Sequence, residues 1–124
     1  MAALILIVDD EWLNRDLMET MLTAHDYKTI TAANGQKAVE QAAEHHPNLI
    51  IMDIRMPDTD GYATTALLKA NPATQNIPVL LISGLKTGKE ERERASEVGA
   101  ADVLQRGVEM DTLMQHIRKH LSSE

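Results

Sequence analysis

Acidic residues directly follow two apolar segments of the sequence. Asp9 and Asp10 come after the run Ala3–Val8, and Asp53 comes after the run Asn48–Met52. If these runs are neighbouring parallel strands, the three carboxylates converge. Two like charges about 4 Å apart repel by about 4 kcal/mol at an effective dielectric of 20, so protonation or a cation must offset the cost. Hard oxygen ligands without nearby His or Cys are typical of Mg²⁺.

A hydroxyl, a glycine and an arginine follow two further strand-like runs. Ser83 and Gly84 come after Ile77–Ile82, and Arg106 comes after Ala101–Gln105. A hydroxyl and a permanent cation that face a metal-bound carboxylate can hold the outer oxygens of a phosphoryl group. The absence of a side chain at Gly84 leaves space for that group.

The chemistry that these residue types predict is in-line phosphoryl transfer onto a carboxylate. Asp53 is the better candidate for the nucleophile, because Asp9 and Asp10 are needed for the metal. A single acidic residue at a strand end is more often a capping turn. Three of them at the tips of two buried strands favour the chemical interpretation.

The elements that must position these residues alternate along the chain. The three continuous apolar runs named above are typical of strands buried on both faces of a parallel sheet, and Lys28–Ala32 and Ala101–Gln105 are two weaker candidates. Helical patterns lie between and after the strands. They comprise a face of Leu13, Leu17, Met21 and Leu22; a helix capped by Asn34; Gly61–Ala70; Lys89–Val98 closed by Gly99; and a stripe of Met110, Leu113, Met114, Ile117 and Leu121. This order predicts an α/β domain with right-handed crossovers.

Length and composition narrow the function classes. The chain has 124 residues, a net charge of −7 and no cysteine. One domain is expected over residues 1–124, with no output domain, since three residues follow the last predicted helix. The negative charge argues against nucleic-acid binding, and disulfides and thiolate sites are excluded. Neither a signal peptide nor a membrane span is predicted, so a cytoplasmic location is expected.

The sequence resembles the response-regulator receiver family of two-component systems, and the resemblance covers essentially the whole chain. The motifs that carry it are residues 6–11, residues 52–57 with Gly61, residues 77–79 leading to Ser83 and Gly84, and residues 99–102. The resemblance implies a flavodoxin-like doubly wound fold with strand order 2-1-3-4-5. It also implies a phosphoacceptor signalling domain rather than an enzyme with a separate substrate.

The same resemblance implies roles for individual residues. Asp53 would be phosphorylated by a histidine kinase or a histidine phosphotransfer protein. Mg²⁺ would be bound by Asp10, Asp53 and the backbone carbonyl of Arg55, with Asp9 acting through water. Ser83 would be the switch hydroxyl. The fourth helix, the fifth strand and the fifth helix form the partner surface in this family, which implies an unidentified downstream protein or a weak homodimer through the two helices.

Three residues in and directly after the predicted fifth strand depart from the family pattern. Such domains usually carry an aromatic residue followed by Lys-Pro, whereas Val103, Arg106 and Gly107 stand at the matching positions. Arg keeps the positive charge with a bulkier planar head. Val103 cannot perform the ring rotation that usually reports phosphorylation. We therefore expect metal binding and phosphoacceptance to be retained, and the conformational switch that usually follows phosphorylation to be altered.

Two further sequence features are typical of ordinary structure, and two alternative functions remain open. The segment 84–90 resembles a phosphate-binding loop, but its glycines are spaced wrongly and Glu90 replaces the Ser/Thr. His116 and His120 are predicted to be a solvated pair near a helix C-terminus. The open alternatives are a pseudo-receiver that binds proteins without phosphorylation and, less favoured, a small phosphatase that uses Asp53.

Overall fold

The computed structural model describes residues 2–84 and 87–121. Within these ranges, seven strands and five helices follow one another. They are β1 (Leu4–Val8), α1 (Trp12–Ala24), β2 (Lys28–Ala32), α2 (Gly35–His45), β3 (Leu49–Asp53), β4 (Arg55–Met56), β5 (Thr59–Asp60), α3 (Gly61–Ala70), β6 (Val79–Ser83), α4 (Lys89–Glu97), β7 (Asp102–Gln105) and α5 (Met110–Leu121). Leu85 and Lys86 of the phosphate-loop-like segment, and the three residues after α5, lie outside the described residues.

Five of the strands form one parallel sheet in the order β2-β1-β3-β6-β7. This order confirms the flavodoxin-like prediction 2-1-3-4-5, because the two-residue strands β4 and β5 pair only with each other. The order reverses between β1 and β3. Ligands of open α/β sheets bind beyond the carboxyl ends of the strands at such a point.

The sheet is buried on both faces, which explains why the strand sequences are continuously apolar. Alternate residues of each strand enter different clusters. Ile5, Ile7 and Ile51 pack with α1 and α5, whereas Leu6 and Ile50 pack with α2, α3 and α4. Full burial of such a side chain stabilises the fold by about 1.5–3 kcal/mol. The central strands β1, β3 and β6 therefore form a rigid base for the residues at their tips.

Helix boundaries follow local chemistry. The side chain of Asn34 accepts a hydrogen bond from the backbone N–H of Lys37 at 2.8 Å, which confirms the predicted N-cap of α2. Gly99 follows the C-cap Val98 and has φ +88°, which confirms the predicted end of α4. Strand β6 begins at Val79 rather than at Ile77, because Pro78 has no N–H to donate to a sheet ladder.

The prediction for the packed face of α1 is wrong in part. Leu13 and Leu17 are 50% and 59% exposed, whereas Leu22 is fully buried. Met18 and Met21 pack against the core beside it. The packed face of the helix passes through Asn14, Met18 and Leu22, one position further round the helix than Leu13 and Leu17. In α5 the predicted stripe is buried at Leu113, Met114 and Ile117, but its first member, Met110, is exposed.

Among the described residues, no helix combines the length and the apolar character that crossing a membrane requires.

Candidate functional site

The tips of β1 and β3 bring the three predicted carboxylates together. Val8 pairs with Met52 in the sheet register, so Asp9 and Asp53 follow neighbouring strand ends. One oxygen from each of Asp9, Asp10 and Asp53 lies within 4.8 Å of the others. The convergence predicted from the sequence is confirmed.

Backbone groups hold two of these carboxylates in place. The N–H of Glu11 donates to Oδ1 of Asp9 at 3.0 Å, and the N–H of Arg55 donates to Oδ1 of Asp53 at 3.2 Å. Each contact closes a local turn immediately after the strand, in the manner usual for Asp. In both residues the other oxygen, Oδ2, is directed toward the centre of the site.

Arg106 supplies the positive charge that faces the carboxylates. Its Nη2 lies 2.9 Å from Oδ2 of Asp9 and 3.3 Å from Oδ2 of Asp53. The backbone N–H of Arg106 donates to the carbonyl of Ser83 at 2.7 Å, which attaches its loop to the tip of β6. The following residue, Gly107, has φ +89°. Proline, whose φ is fixed near −65°, cannot adopt this conformation, so the loop differs in backbone conformation from the Lys-Pro loop usual in such domains.

Burial raises the pKa of Asp53 above its usual range. The hydrogen bond from the N–H of Arg55 and the charge of Arg106 lower it, and the charges of Asp9 and Asp10 raise it further, but loss of solvation is the largest effect. An acid whose charged form is disfavoured gains from any cation placed beside it.

The residues fit a hard divalent cation. Three carboxylates lie together and two of them, those of Asp9 and Asp53, contact one guanidinium, so the cluster carries excess negative charge among the described residues. Carboxylate oxygens are preferred ligands of Mg²⁺, which takes one or two of them directly and keeps several waters. The cluster contains no His or Cys, in contrast to sites for softer metals.

Ser83 and Gly84 lie beside this cluster. Asp53 pairs with Ile82, so Ser83 is one residue further along the neighbouring strand. Ser83 is buried and lines a cleft of about 470 Å³ between the segment 54–62 and α4. A Cβ added at Gly84 would have no atom of the described residues 2–84 and 87–121 within 4 Å, apart from its chain neighbours. The structure therefore places open space next to the predicted switch hydroxyl.

A tight turn fixes the chain after Asp53. Strands β4 and β5 pair as a short antiparallel hairpin, Arg55 opposite Asp60, and lead directly into α3. A Cβ at Gly61 would lie 2.7 Å from both the carbonyl oxygen of Asp53 and Cα of Ile54. Only glycine allows this approach, so Gly61 helps to set where the Asp53 backbone lies.

Sequence reasoning missed the contacts of Arg94. Its guanidinium lies 4.4 Å from the centre of the Tyr62 ring and 3.4 Å from Oδ2 of Asp60. The predicted helix Lys89–Val98 gave no indication of these contacts, because its run of charged residues 89–94 is typical of an exposed face. A single tyrosine at the start of α3 was the available signal, but nothing in the sequence pairs it with one arginine of α4.

The prediction for His116 and His120 is wrong. Their side chains are 27% and 14% exposed, and both face Asp102 at the start of β7. The helix periodicity places position 120 one turn after position 116, on the side that packs against the sheet.

The fold and the acidic cluster together define a flavodoxin-like α/β domain with an acidic pocket at the switch point of its sheet. A profile of the response regulator receiver domain matches residues 5–118. Response regulator PleD of Caulobacter vibrioides is 39% identical over 118 residues, which cover 95% of this chain and 26% of PleD. Polar-differentiation response regulator DivK of Brucella abortus is 31% identical, with 94% of each chain covered.

The solved structures agree. The signal receiver domain of a signal transduction histidine kinase from Syntrophus aciditrophicus superposes with a TM-score of 0.88 at 33% identity, covering 98% of this chain and 92% of that one. The chain belongs to the response regulator receiver domain family. It spans about a quarter of PleD but nearly the full length of DivK. Receiver domains are signalling domains that generally bind Mg²⁺ at the acidic pocket.

Proposed function

We propose that this domain accepts a phosphoryl group on Asp53 in a Mg²⁺-dependent reaction and signals by binding another protein. The observation that carries the proposal is the convergence of Asp9, Asp10 and Asp53, with the guanidinium of Arg106 against Asp9 and Asp53. In a member of the receiver family, this arrangement supports phosphoacceptance over a purely structural cluster.

The metal would be held by Asp10, Asp53 and the backbone carbonyl of Arg55, with Asp9 acting through water. When bound, Mg²⁺ supplies charge neutralisation and polarises the phosphoryl oxygens. Asp9 also accepts a hydrogen bond from the guanidinium of Arg106. It would therefore orient that guanidinium in addition to its role toward the metal.

The chemical step is a displacement at phosphorus. Oδ2 of Asp53 forms the new O–P bond while the N–P bond of a phosphohistidine donor breaks, and the imidazole leaves and takes up a proton. The guanidinium of Arg106 and the hydroxyl of Ser83 would hold the outer phosphoryl oxygens. The missing side chain at Gly84 would leave room for them. Positioning and charge neutralisation supply most of the rate in such transfers.

The donor would be a histidine kinase or a histidine phosphotransfer protein. The partner surface would include α4, β7 and α5, where α4 buries only Ala95 deeply and is otherwise polar. A helix with few apolar anchors can shift at low cost when a partner or a phosphoryl group favours another position. A weak homodimer through α4 and α5 is a further outcome that this surface permits.

The proposal is tested by intact-mass spectrometry with Mg²⁺ and acetyl phosphate. The wild-type protein is expected to gain the mass of one phosphoryl group, and omission of Mg²⁺ should prevent the gain. Asp53→Asn should not be modified, whereas Asp58→Asn, in the exposed turn between β4 and β5, should react like the wild type.

An unchanged wild-type mass, also with a phosphorylated histidine phosphotransfer protein as donor, would contradict the proposal. Equal labelling of Asp53→Asn would show that the site had been assigned to the wrong residue. Release of more than one equivalent of phosphate per protein from simple phosphate esters would instead favour the phosphatase alternative.

A second candidate function, phosphorylation-independent protein binding, is favoured by residues of the β7 region. Val103 is buried in the core where the family usually has an aromatic residue, and Gly107 replaces the usual proline. Fluorescence of Trp12, two residues after Asp10, separates the two functions. A response to millimolar Mg²⁺ supports the phosphoacceptor, and no response supports the binding module.

A further inference from the structure

A second cluster of potential metal ligands lies away from the acidic pocket. Asp102 begins β7, and His116 and His120 lie one turn apart in the C-terminal half of α5. One ligand atom from each residue lies within 4.8 Å of the other two. The acidic pocket lies beyond the opposite ends of the strands, so the two clusters share no residue.

The atoms that face one another are those that coordinate metals. Nδ1 of His116 lies 2.9 Å from Oδ2 of Asp102, and Nε2 of His120 lies 3.8 Å from the same oxygen. In a tetrahedral zinc site with bonds of about 2.0–2.2 Å, neighbouring ligand atoms are roughly 3.3 Å apart. The two separations from Oδ2 of Asp102 bracket this value, and all three ligand atoms lie within 4.8 Å of one another.

The carboxylate of Asp102 is oriented by the backbone. Its Oδ1 accepts a hydrogen bond from the N–H of Val103 at 2.9 Å, which leaves Oδ2 directed toward the histidines. Hydrogen bonds that fix the orientation of a ligating group are usual in metal sites, where their loss typically lowers metal affinity about 10–100-fold.

A simple ion pair explains the contact at His116 poorly. Its Nδ1 is shielded from solvent and makes no hydrogen bond within the described residues, although Oδ2 of Asp102 is 2.9 Å away. The two atoms are therefore close without making a hydrogen bond to each other. A buried nitrogen of this kind requires a partner, and a metal ion supplies one.

We propose that Asp102, His116 and His120 form a binding site for a transition-metal dication, with Zn²⁺ as the expected ion. Two imidazoles and one carboxylate suit zinc and related metals rather than Mg²⁺, and histidines four residues apart on a helix are a frequent zinc-ligand spacing. Water completes the coordination. The site connects β7 to α5 and braces the surface that these elements form with α4.

The test is a zinc titration of untagged, EDTA-treated and dialysed protein against a chromophoric chelator. The wild type is expected to bind one equivalent of Zn²⁺, and His120→Ala and Asp102→Asn should each weaken binding at least about tenfold. His45→Ala, at the exposed end of α2, and Asp10→Asn, in the acidic pocket, should bind as the wild type does.

Co²⁺ provides a readout that is independent of affinity. Bound to the histidine cluster in four-coordinate form, it should give intense visible bands that Asp10→Asn retains and His116→Gln abolishes. Circular dichroism of each metal-free variant checks that it is folded. If His120→Ala is unfolded, His116→Gln takes its place in the zinc titration.

Three results would overturn the proposal. They are no stoichiometric zinc binding by the wild type, a loss of zinc affinity in His45→Ala as large as in His120→Ala, or a loss of zinc affinity in Asp10→Asn alone. The first would leave an Asp–His contact without metal, and the third would assign the ion to the acidic pocket.

Discussion

The charge balance of the acidic pocket depends on one residue, Arg106. Its guanidinium contacts both Asp9 and Asp53 and is itself 36% exposed. A cation at this position offsets carboxylate repulsion before phosphorylation and can pair with the phosphoryl oxygens afterwards. Arginine presents a planar fork and lysine a single ammonium group, so the two residues would hold a phosphoryl group differently.

Replacement of this arginine tests its role. Arg106→Gln is expected to slow phosphorylation by acetyl phosphate by roughly 10²-fold, because a preorganised charged donor is lost. Arg106→Lys keeps the charge and should remain within about tenfold of the wild type. The rates are measured by intact mass over time. Arg118→Gln, on the exposed side of α5, is the control, and a full rate for Arg106→Gln would contradict the assignment.

The raised pKa of Asp53 predicts a pH-dependent stability. The folded state disfavours the ionised form, so the stability associated with this group is fully present below its ordinary pKa of 3.8 and is lost as pH rises through the raised value. At neutral pH without divalent ions, Asp53→Asn should therefore raise the melting temperature, and the gain should vanish near pH 3.8.

Thermal melts across pH check this expectation. Saturating Mg²⁺ should reverse the order at neutral pH, since it stabilises only the protein that binds it. A lower melting temperature for metal-free Asp53→Asn at neutral pH would show that the ion pair with Arg106 outweighs burial.

At the residue scale, the sequence predicted some contacts and not others. Asp9, Asp10 and Asp53 directly follow strands, and parallel strand ends meet at one edge, so their convergence followed from spacing alone. The approach of His116 to Asp102 did not follow. It depends on the rotation of α5 about its axis, and the sequence shows only that the two histidines share a face.

Among the elements, the turn before α3 is the most tightly constrained. Gly61→Ala would place Cβ 2.7 Å from backbone atoms of residues 53 and 54. Backbone cannot yield as a flexible side chain does, so the variant should lose about 1–3 kcal/mol of unfolding free energy. It should also be phosphorylated more slowly, because the strand tip that carries Asp53 must shift.

Chemical denaturation measures this loss. Gly84→Ala is the matched control, because its Cβ would have no non-neighbouring atom within 4 Å in the part of the chain that the structure describes. Its unfolding free energy should change by less than about 0.5 kcal/mol. Equal effects of the two substitutions would contradict the packing argument.

The helix α4 has few anchors among the described residues. Only Ala95 of this helix is deeply buried, and Arg94 adds the contacts with Tyr62 and Asp60. Arg94→Ala should speed amide hydrogen exchange in α4 by a few-fold, since an exposed cation–π contact is worth about 0.5–1 kcal/mol. Arg92→Ala is the control: it lies two residues away on the opposite side of the helix, removes only a 3.5 Å contact with the carbonyl of Thr87, and should change the exchange less than Arg94→Ala does. Unchanged exchange in Arg94→Ala would show that the helix is anchored elsewhere.

Element positions were more predictable than helix faces. The bounds of α3 were predicted as observed, because Gly61 and the Asn71-Pro72 pair mark its ends. The face of α1 was predicted incorrectly, since the polar Asn14 is half-buried in line with Met18 and Leu22 while Leu13 and Leu17 are exposed. Hydrophobic periodicity identifies a helix, but a polar residue on the packed face and apolar residues beside it misplace that face.

At the scale of the whole molecule, one sheet separates two chemically different ends. The acidic pocket lies beyond the carboxyl ends of β1, β3 and β6, and the histidine cluster lies near the start of β7. The apolar strands between them are buried on both faces, so each site is held by a rigid core. This architecture was predictable because continuous apolar runs alternating with helices are compatible with few other folds.

The central claim is that magnesium prepares Asp53 to accept a phosphoryl group, and site mapping tests it most directly. After incubation with a phosphohistidine donor and Mg²⁺, borohydride reduction should convert an aspartyl phosphate to homoserine, which peptide mass spectrometry locates. Homoserine at position 53, absent without Mg²⁺ and absent in Asp10→Asn, is the predicted result. Homoserine at another aspartate, or at position 53 regardless of Mg²⁺, would contradict the account.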